Sequence, residues 1–141
     1  MIAWVTPADP GFPAVAGLFD EYRVHYGEPS APAATRSWLA SSGLSVAADP
    51  SLRGFVTTVV LPASLTLGTA WMVRDLYVPP RFRRQGVARE LIDWVVAAAR
   101  AAGARRVSLQ TETGNAPAHA LYAAAGFRPV TGLDMLNLTL D

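Results

Sequence analysis

The sequence predicts a mixed α/β protein built on one sheet, part antiparallel and part parallel. Two patterns carry this. Strand-forming runs at 44–48, 54–61 and 71–78 follow one another through short turns, as an antiparallel meander does. The run at 71–78 then leads into a long helical pattern and a further strand at 106–111, a connection that implies a parallel crossover. Hydrophobic residues make up 51% of the chain and charged ones 16%, which favours a packed core over disorder. At 141 residues the expectation is one domain over 1–141, burying about two-thirds of its unfolded surface.

Taken in order, 2–6 is a short strand closed by Pro7-Ala8-Asp9-Pro10. Over 12–26, Val15, Leu18, Phe19 and Tyr22 recur at helical spacing, and Gly27 with Pro29 ends the helix. A second helix is expected over 31–42, with Ser30 as N-cap, Pro32 in the first turn and Gly43 as its stop. The strand at 44–48 turns through Asp49-Pro50-Ser51 into 54–61, where Phe55-Val56-Thr57-Thr58-Val59-Val60 strongly favours a sheet. Pro62-Ala63-Ser64 opens another turn.

Trp71 to Val78 has the β-branched and aromatic content of a buried strand, and Pro79-Pro80 ends its ladder for want of N–H donors. Arg81-Phe82-Arg83-Arg84-Gln85-Gly86 follows, and a helix is expected over 87–102. On its wheel Arg89, Glu90, Asp93 and Arg100 share an arc of roughly 100°, with Val87, Leu91, Trp94, Val95, Ala98 and Ala102 opposite. A strand feeding a cationic loop that opens a helix suits a phosphate group. First-turn N–H groups lack intrahelical partners, and the macrodipole places partial positive charge there. Gly86 lets a ligand approach the backbone, Ala88 keeps the next turn open, and the arginines at 81, 83, 84 and 89 add forked donors. Beyond 106–111, Asn115 starts a helix over 116–125 with Gly126 after it; 127–130 and 135–140 are expected as a final antiparallel pair.

Several function classes are closed. There is no lysine, so a P-loop and Schiff-base chemistry are excluded. There is no cysteine, and His25 and His119 lie far apart, so no metal site is expected. A net charge of +1, with no basic tail and no aromatic stacking platform beside the arginine loop, argues against nucleic acid. Without a basic n-region or an apolar run near 18 residues, neither a signal peptide nor a membrane span is expected, and the default is a cytoplasmic protein.

Arg83-x-x-Gly86-x-Ala88 resembles the acyl-CoA pyrophosphate loop of the GCN5-related N-acetyltransferases, Gln/Arg-x-x-Gly-x-Gly/Ala, and it sits between a strand and an amphipathic helix as that family requires. Asn115-x-x-Ala118-x-x-Leu121-Tyr122-x-x-x-Gly126-Phe127, about 30 residues on, is similar to that family's second signature. The resemblance covers 71–129; the first 70 residues agree only in element order. It implies the acyl-CoA N-acyltransferase fold, β-α-α-β-β-β-α-β-α-β-β, a mixed sheet with helices on both faces. It further implies an acetyl-CoA-dependent N-acetyltransferase moving an acetyl group to a primary amine of a small molecule, or of a protein or peptide, with acetyl-CoA as cosubstrate. A homodimer is left open.

By the same resemblance Leu76, Tyr77 and Val78 offer main-chain groups to the pantetheine, and Arg83, Arg84, Gln85, Gly86, Val87, Ala88 and Arg89 hold the pyrophosphate. Asn115 contacts CoA, a role compatible with N-capping. Acetyl transfer needs a neutral amine, stabilisation of the developing oxyanion and a proton for the departing thiolate; the resemblance assigns that proton to Tyr122. Many relatives read Glu-Asp-Leu-Tyr-Val where this chain reads Arg74-Asp75-Leu76-Tyr77-Val78. A guanidinium cannot accept a proton, so Arg74 is not the base, and alternation turns Asp75 to the opposite face. Glu112 or a backbone-held water is left for that role, and Arg74 either binds an acidic group of the acceptor or pairs locally. Tyr22, His25 and Tyr26 fall in the region that borders the acceptor in relatives. The missing glutamate keeps a second class open, a catalytically silent acyl-CoA-binding or regulatory domain.

Overall fold

Ala3–Val5 (β1), Phe12–His25 (α1), Pro32–Ser41 (α2), Ser45–Ala48 (β2), Phe55–Ala63 (β3), Gly68–Tyr77 (β4), Val87–Ala101 (α3), Arg106–Ser108 (β5) and Ala116–Ala124 (α4) are the elements of the computed structural model, which describes residues 1–140. The chain forms two compact units, Met1–Gln110 and Thr111–Asp141.

In the first unit the strands lie in chain order β1-β2-β3-β4-β5. The first four are antiparallel, and β4 pairs with β5 in parallel, the crossover being α3. Alternation sorts the side chains. Val46, Ala48, Phe55 and Tyr77 join Phe12, Val15, Leu18 and Phe19 of α1 and Leu39 of α2 in one core. On the opposite face Trp4 of β1 meets Trp94 of α3, ring centroids 4.8 Å apart, and Trp71 of β4 at 5.9 Å. α3 buries Val87, Leu91, Ile92, Val95 and Ala99. This is the mixed α/β architecture expected from the sequence.

Register within β4 departs from simple alternation. Thr57 pairs with Asp75 but Thr58 pairs with Val73, so Arg74 is an extra residue, a β-bulge. The bulge puts Asp75 on the face of Tyr77 and Thr57, towards α1, and leaves Arg74 exposed. A bulged strand bends, and here the β4–β5 ladder stops at Met72 and Ser108. β5 therefore ends three residues before the expected limit at 111.

Two other expectations are corrected. Ser30 does not cap α2: the N-cap residue is Ala31, with no side-chain cap bond. Ser30 Oγ instead donates to Asp20 Oδ2 at 2.7 Å, while Asp20 Oδ1 accepts from the Ala31 N–H at 3.0 Å and from Thr35 Oγ1 at 2.8 Å. A carboxylate from α1 outcompetes the local serine because it serves three donors at once. In the second unit the expected strands at 127–130 and 135–140 do not form among the described residues, and Val130, Leu133, Met135, Leu136, Leu138 and Leu140 are exposed. A two-stranded ribbon with no further strand in its unit to complete it is marginal in water.

Candidate active site

The loop after β4 makes a single turn at Pro80–Phe82 and reaches α3 through two left-handed residues, Arg84 (φ 62°) and Gly86 (φ 79°). Gly86 is the N-cap of α3, and a side chain at that φ would be strained even though a Cβ there meets nothing within 4 Å. Arg84 adopts its φ without that freedom, at a cost of about 1–2 kcal/mol. Glu90 N–H is bonded to Gly86 O at 3.0 Å, so the amides of Val87, Ala88 and Arg89 have no intrahelical acceptor and point out of the helix end. The backbone is shaped for an anion.

The charges around it are unequally committed. Arg81 donates to Glu21 Oε1 at 3.0 Å, Arg89 Nε bridges both oxygens of Asp93, and Glu90 is paired with Arg53 at 3.3 Å. Arg83 uses Nε on the carbonyl of Val78 at 3.0 Å, and neither Arg83 nor Arg84 has a carboxylate partner among the described residues. Exposed pairs such as Arg89–Asp93 are worth little and open readily to a stronger anion.

Beyond Met72 the β4 edge facing away from β3 has no strand partner among the described residues, which leaves main-chain groups over 73–77 for an extended ligand. Leu76 and Tyr77 lie on this stretch, and Val78 follows with its carbonyl already held by Arg83. The Tyr77 side chain is buried and donates to Glu21 Oε2 at 3.0 Å; burial and that bond push its phenol up to about 12.

Next to this edge Asp75 takes hydrogen bonds from Tyr22 Oη at 2.8 Å and Thr57 Oγ1 at 2.5 Å. Burial, then the charge of Asp75 and the bond to it, raise the Tyr22 phenol well above the ordinary tyrosine value. Phe19, Tyr22, Trp38 and Asp75 help to line a cavity of about 480 Å³ between α1, α2 and β4.

In the second unit Asn115 is the N-cap of α4, accepting from the Ala118 N–H at 3.2 Å. Tyr122 lies on α4, half-buried, its ring 5.9 Å from that of Phe127. Glu112 is exposed, and His119 Nε2 lies 3.0 Å from its carbonyl oxygen. No group of three or more His, Cys, Asp or Glu able to hold a metal occurs among the described residues, and no helix there is long and apolar enough to cross a membrane.

A family model described as "Acetyltransferase (GNAT) family" matches residues 12–127. The chain belongs to that family. It is an N-acetyltransferase by membership, and the family implies acetyl-CoA as cosubstrate. An uncharacterized N-acetyltransferase, YhfO, of Bacillus subtilis (strain 168) is 28% identical over 126 residues, 84% of this chain and 85% of that protein. Among solved structures, a probable acetyltransferase superposes with TM-score 0.90 at 29% identity, covering 100% of this chain and 98% of its own. An aminoglycoside acetyltransferase from an uncultured soil metagenomic sample, in complex with sisomicin, has TM-score 0.80 at 17% identity, covering 100% and 96%; that likeness concerns the fold.

The sequence singles out the loop, the β4 residues, Asn115 and Tyr122 as candidates; three further features show only in the structure. Asp75 faces α1 because of the bulge, and nothing in Val73-Arg74-Asp75 announces one. Trp38 reaches the cavity from α2, and Arg81 is drawn to α1 by Glu21. Of the aromatics near the end of α1, Tyr22 lines the cavity and Tyr26 meets the Tyr22 ring edge to face at 5.3 Å, whereas His25 sits 5.7 Å from the Tyr77 ring.

Proposed function

We propose that this chain is an acetyl-CoA-dependent N-acetyltransferase acting on a primary amine of a small molecule, with residues 1–141 as one catalytic domain. The observation that carries the reading is the junction of β4 and α3: left-handed Arg84 and Gly86, three outward amides, and two arginines without carboxylate partners among the described residues. That arrangement fits a pyrophosphate, and the open β4 edge beside it fits an extended pantetheine arm. Bound acetyl-CoA supplies an activated thioester carbonyl. Arg83, Arg84, Gln85, Gly86, Val87, Ala88 and Arg89 hold its phosphates by main-chain N–H groups and guanidinium forks. Leu76, Tyr77 and Val78 align its arm through the backbone, with Asn115 as a further contact. The phenol of Tyr122 gives its proton to the departing sulfur. No carboxylate stands at position 74, so the acceptor's proton leaves to water or to Glu112.

Small-molecule acceptors are favoured over polypeptide ones by the cavity, whose size of about 480 Å³ suits a compact ligand. The test is thiol release from acetyl-CoA across a panel of small amines and amine-terminated peptides, run beside calorimetric titration of acetyl-CoA. Binding with turnover of small amines is the expected result. Binding without turnover of any amine moves the chain to the silent acyl-CoA-binding class, and no binding removes the phosphate-site reading.

A further inference from the structure

The cavity between α1, α2 and β4 combines aromatic walls with a carboxylate. Phe19, Tyr22 and Trp38 contribute aromatic rings, Ala31 and Ala34 small apolar surface, and Asp75 a carboxylate. Trp38 is 56% exposed, so its ring stands at the mouth, whereas Phe19 is buried. The one cation in the lining is Arg23, and it is committed: Nη1 lies 3.2 Å from Asp20 Oδ1 and also donates to Pro29 O and Thr35 Oγ1. Arg74 is outside the lining, exposed, with its guanidinium 3.7 Å from Met72 Sδ. The charge of Arg74 reaches the Tyr22 hydroxyl from outside, but within the lining Asp75 is the one carboxylate and it has no ion-pair partner among the described residues.

Asp75 is held firmly but not saturated. Tyr22 and Thr57 fix one oxygen each, and a carboxylate offers about four acceptor positions. Aromatic faces and a carboxylate are the two side-chain surfaces that attract an organic cation. They also oppose loss of a proton from any ammonium lodged there. The nitrogen that attacks a thioester must be neutral, so a site of this kind suits a nitrogen that stays charged.

We propose that this cavity binds a second, non-reacting ammonium of the acceptor, so that the enzyme selects diamines and longer polyamines with hydrocarbon spacers. The inference rests on the transferase reading above and names the acceptor class for it. Asp75 pairs with the distal ammonium, Tyr22 and Thr57 position Asp75, and the Trp38 ring closes over the cation from the solvent side.

The test compares 1,5-diaminopentane with 5-amino-1-pentanol, which keeps the reacting amine and chain length but ends in a hydroxyl. The expected kcat/KM ratio favours the diamine by about tenfold or more, the scale of one charge-assisted hydrogen bond. Asp75→Asn brings the ratio to near one. Trp38→Ala, at an exposed ring whose loss spares the core, lowers it severalfold and decides the matter if Asp75→Asn does not fold. Calorimetric titration of 1,5-diaminopentane gives a readout that needs no turnover: its affinity falls in folded Asp75→Asn, titrated well below that variant's own melting temperature. Asp75-dependent binding without acetylation of either compound would sink the transferase reading and leave the cavity assignment standing. Equal kcat/KM for the two compounds in the unmodified enzyme, or a ratio unchanged in both variants, overturns the cavity assignment.

Discussion

The hydroxyl of Tyr22 donates to Asp75 Oδ1 at 2.8 Å, tying α1 to β4 just after the bulge at Arg74. Burial and the neighbouring carboxylate hold the phenol protonated well beyond its ordinary range, so it remains a donor at any working pH. Tyr22→Phe keeps the ring contacts with Phe19, Phe55 and Tyr77 and removes only the bond. The expected cost is about 1.5–3 kcal/mol, the range for a hydrogen bond to a charged group, read from urea unfolding at pH 7. An unchanged midpoint would mean that water replaces the phenol without loss.

Asp20 predicts an acid limb in the stability profile. The Ala31 N–H, then the hydroxyls of Ser30 and Thr35 and the Arg23 guanidinium, outweigh burial and lower its carboxyl from 3.8 to about 2. A carboxyl lowered in the folded state contributes stability that is fully present above its unfolded value and is lost as pH falls towards the folded one. The window is therefore from pH about 4 down to about 2. Asp20→Asn should melt lower than the unmodified protein at pH 6, with the difference shrinking across that window. A difference that stays constant down to pH 2 assigns the acid limb to other groups.

Much of the scaffold was legible because it is local. The buried stripe of α3 repeats at helical spacing, Gly86 marks a left-handed cap, and Asn115 stands three residues before the amide it accepts from. What was not legible depends on partners distant in the chain. The bulge at Arg74 arises from how β4 registers against β3, and it reverses the side predicted for Asp75. Asp20 reaches Ala31 across 11 residues and displaces Ser30 from the capping role. The runs at 127–130 and 135–140 have strand-like patterns, but a pattern without a neighbouring strand makes no ladder.

Gly86→Glu addresses the loop. The substituent has room, but it must adopt φ 79° and it places negative charge at the helix end. The strain costs about 1–2 kcal/mol, small enough for the fold to survive, while acetyl-CoA binding by calorimetry should be abolished. Retained affinity in a folded variant would remove the pyrophosphate site from this loop.

Asn115→Ala separates a cap from a contact. Losing the bond to Ala118 N–H should lower stability by about 1 kcal/mol. The KM for acetyl-CoA should rise as well. If only the melting temperature moves, Asn115 is a cap and has no part in binding.

Tyr122→Phe tests the proposed acid. The ring stays, and with it the packing on Phe127. If the phenol delivers the proton that sulfur takes as the thioester breaks, turnover should fall by about 10²–10⁴-fold, the range for a positioned acid. A thiolate is already a tolerable leaving group in water, which favours the lower end. The loss should appear in kcat, with acetyl-CoA affinity by titration unchanged, because the proton is required only as the bond breaks. A parallel loss of affinity would instead mark Tyr122 as part of the binding surface. Full turnover in the variant leaves the chain with no side chain assigned to protonate the departing sulfur, and catalysis would then rest chiefly on alignment of the amine with the thioester, an effect large enough to sustain a rate by itself.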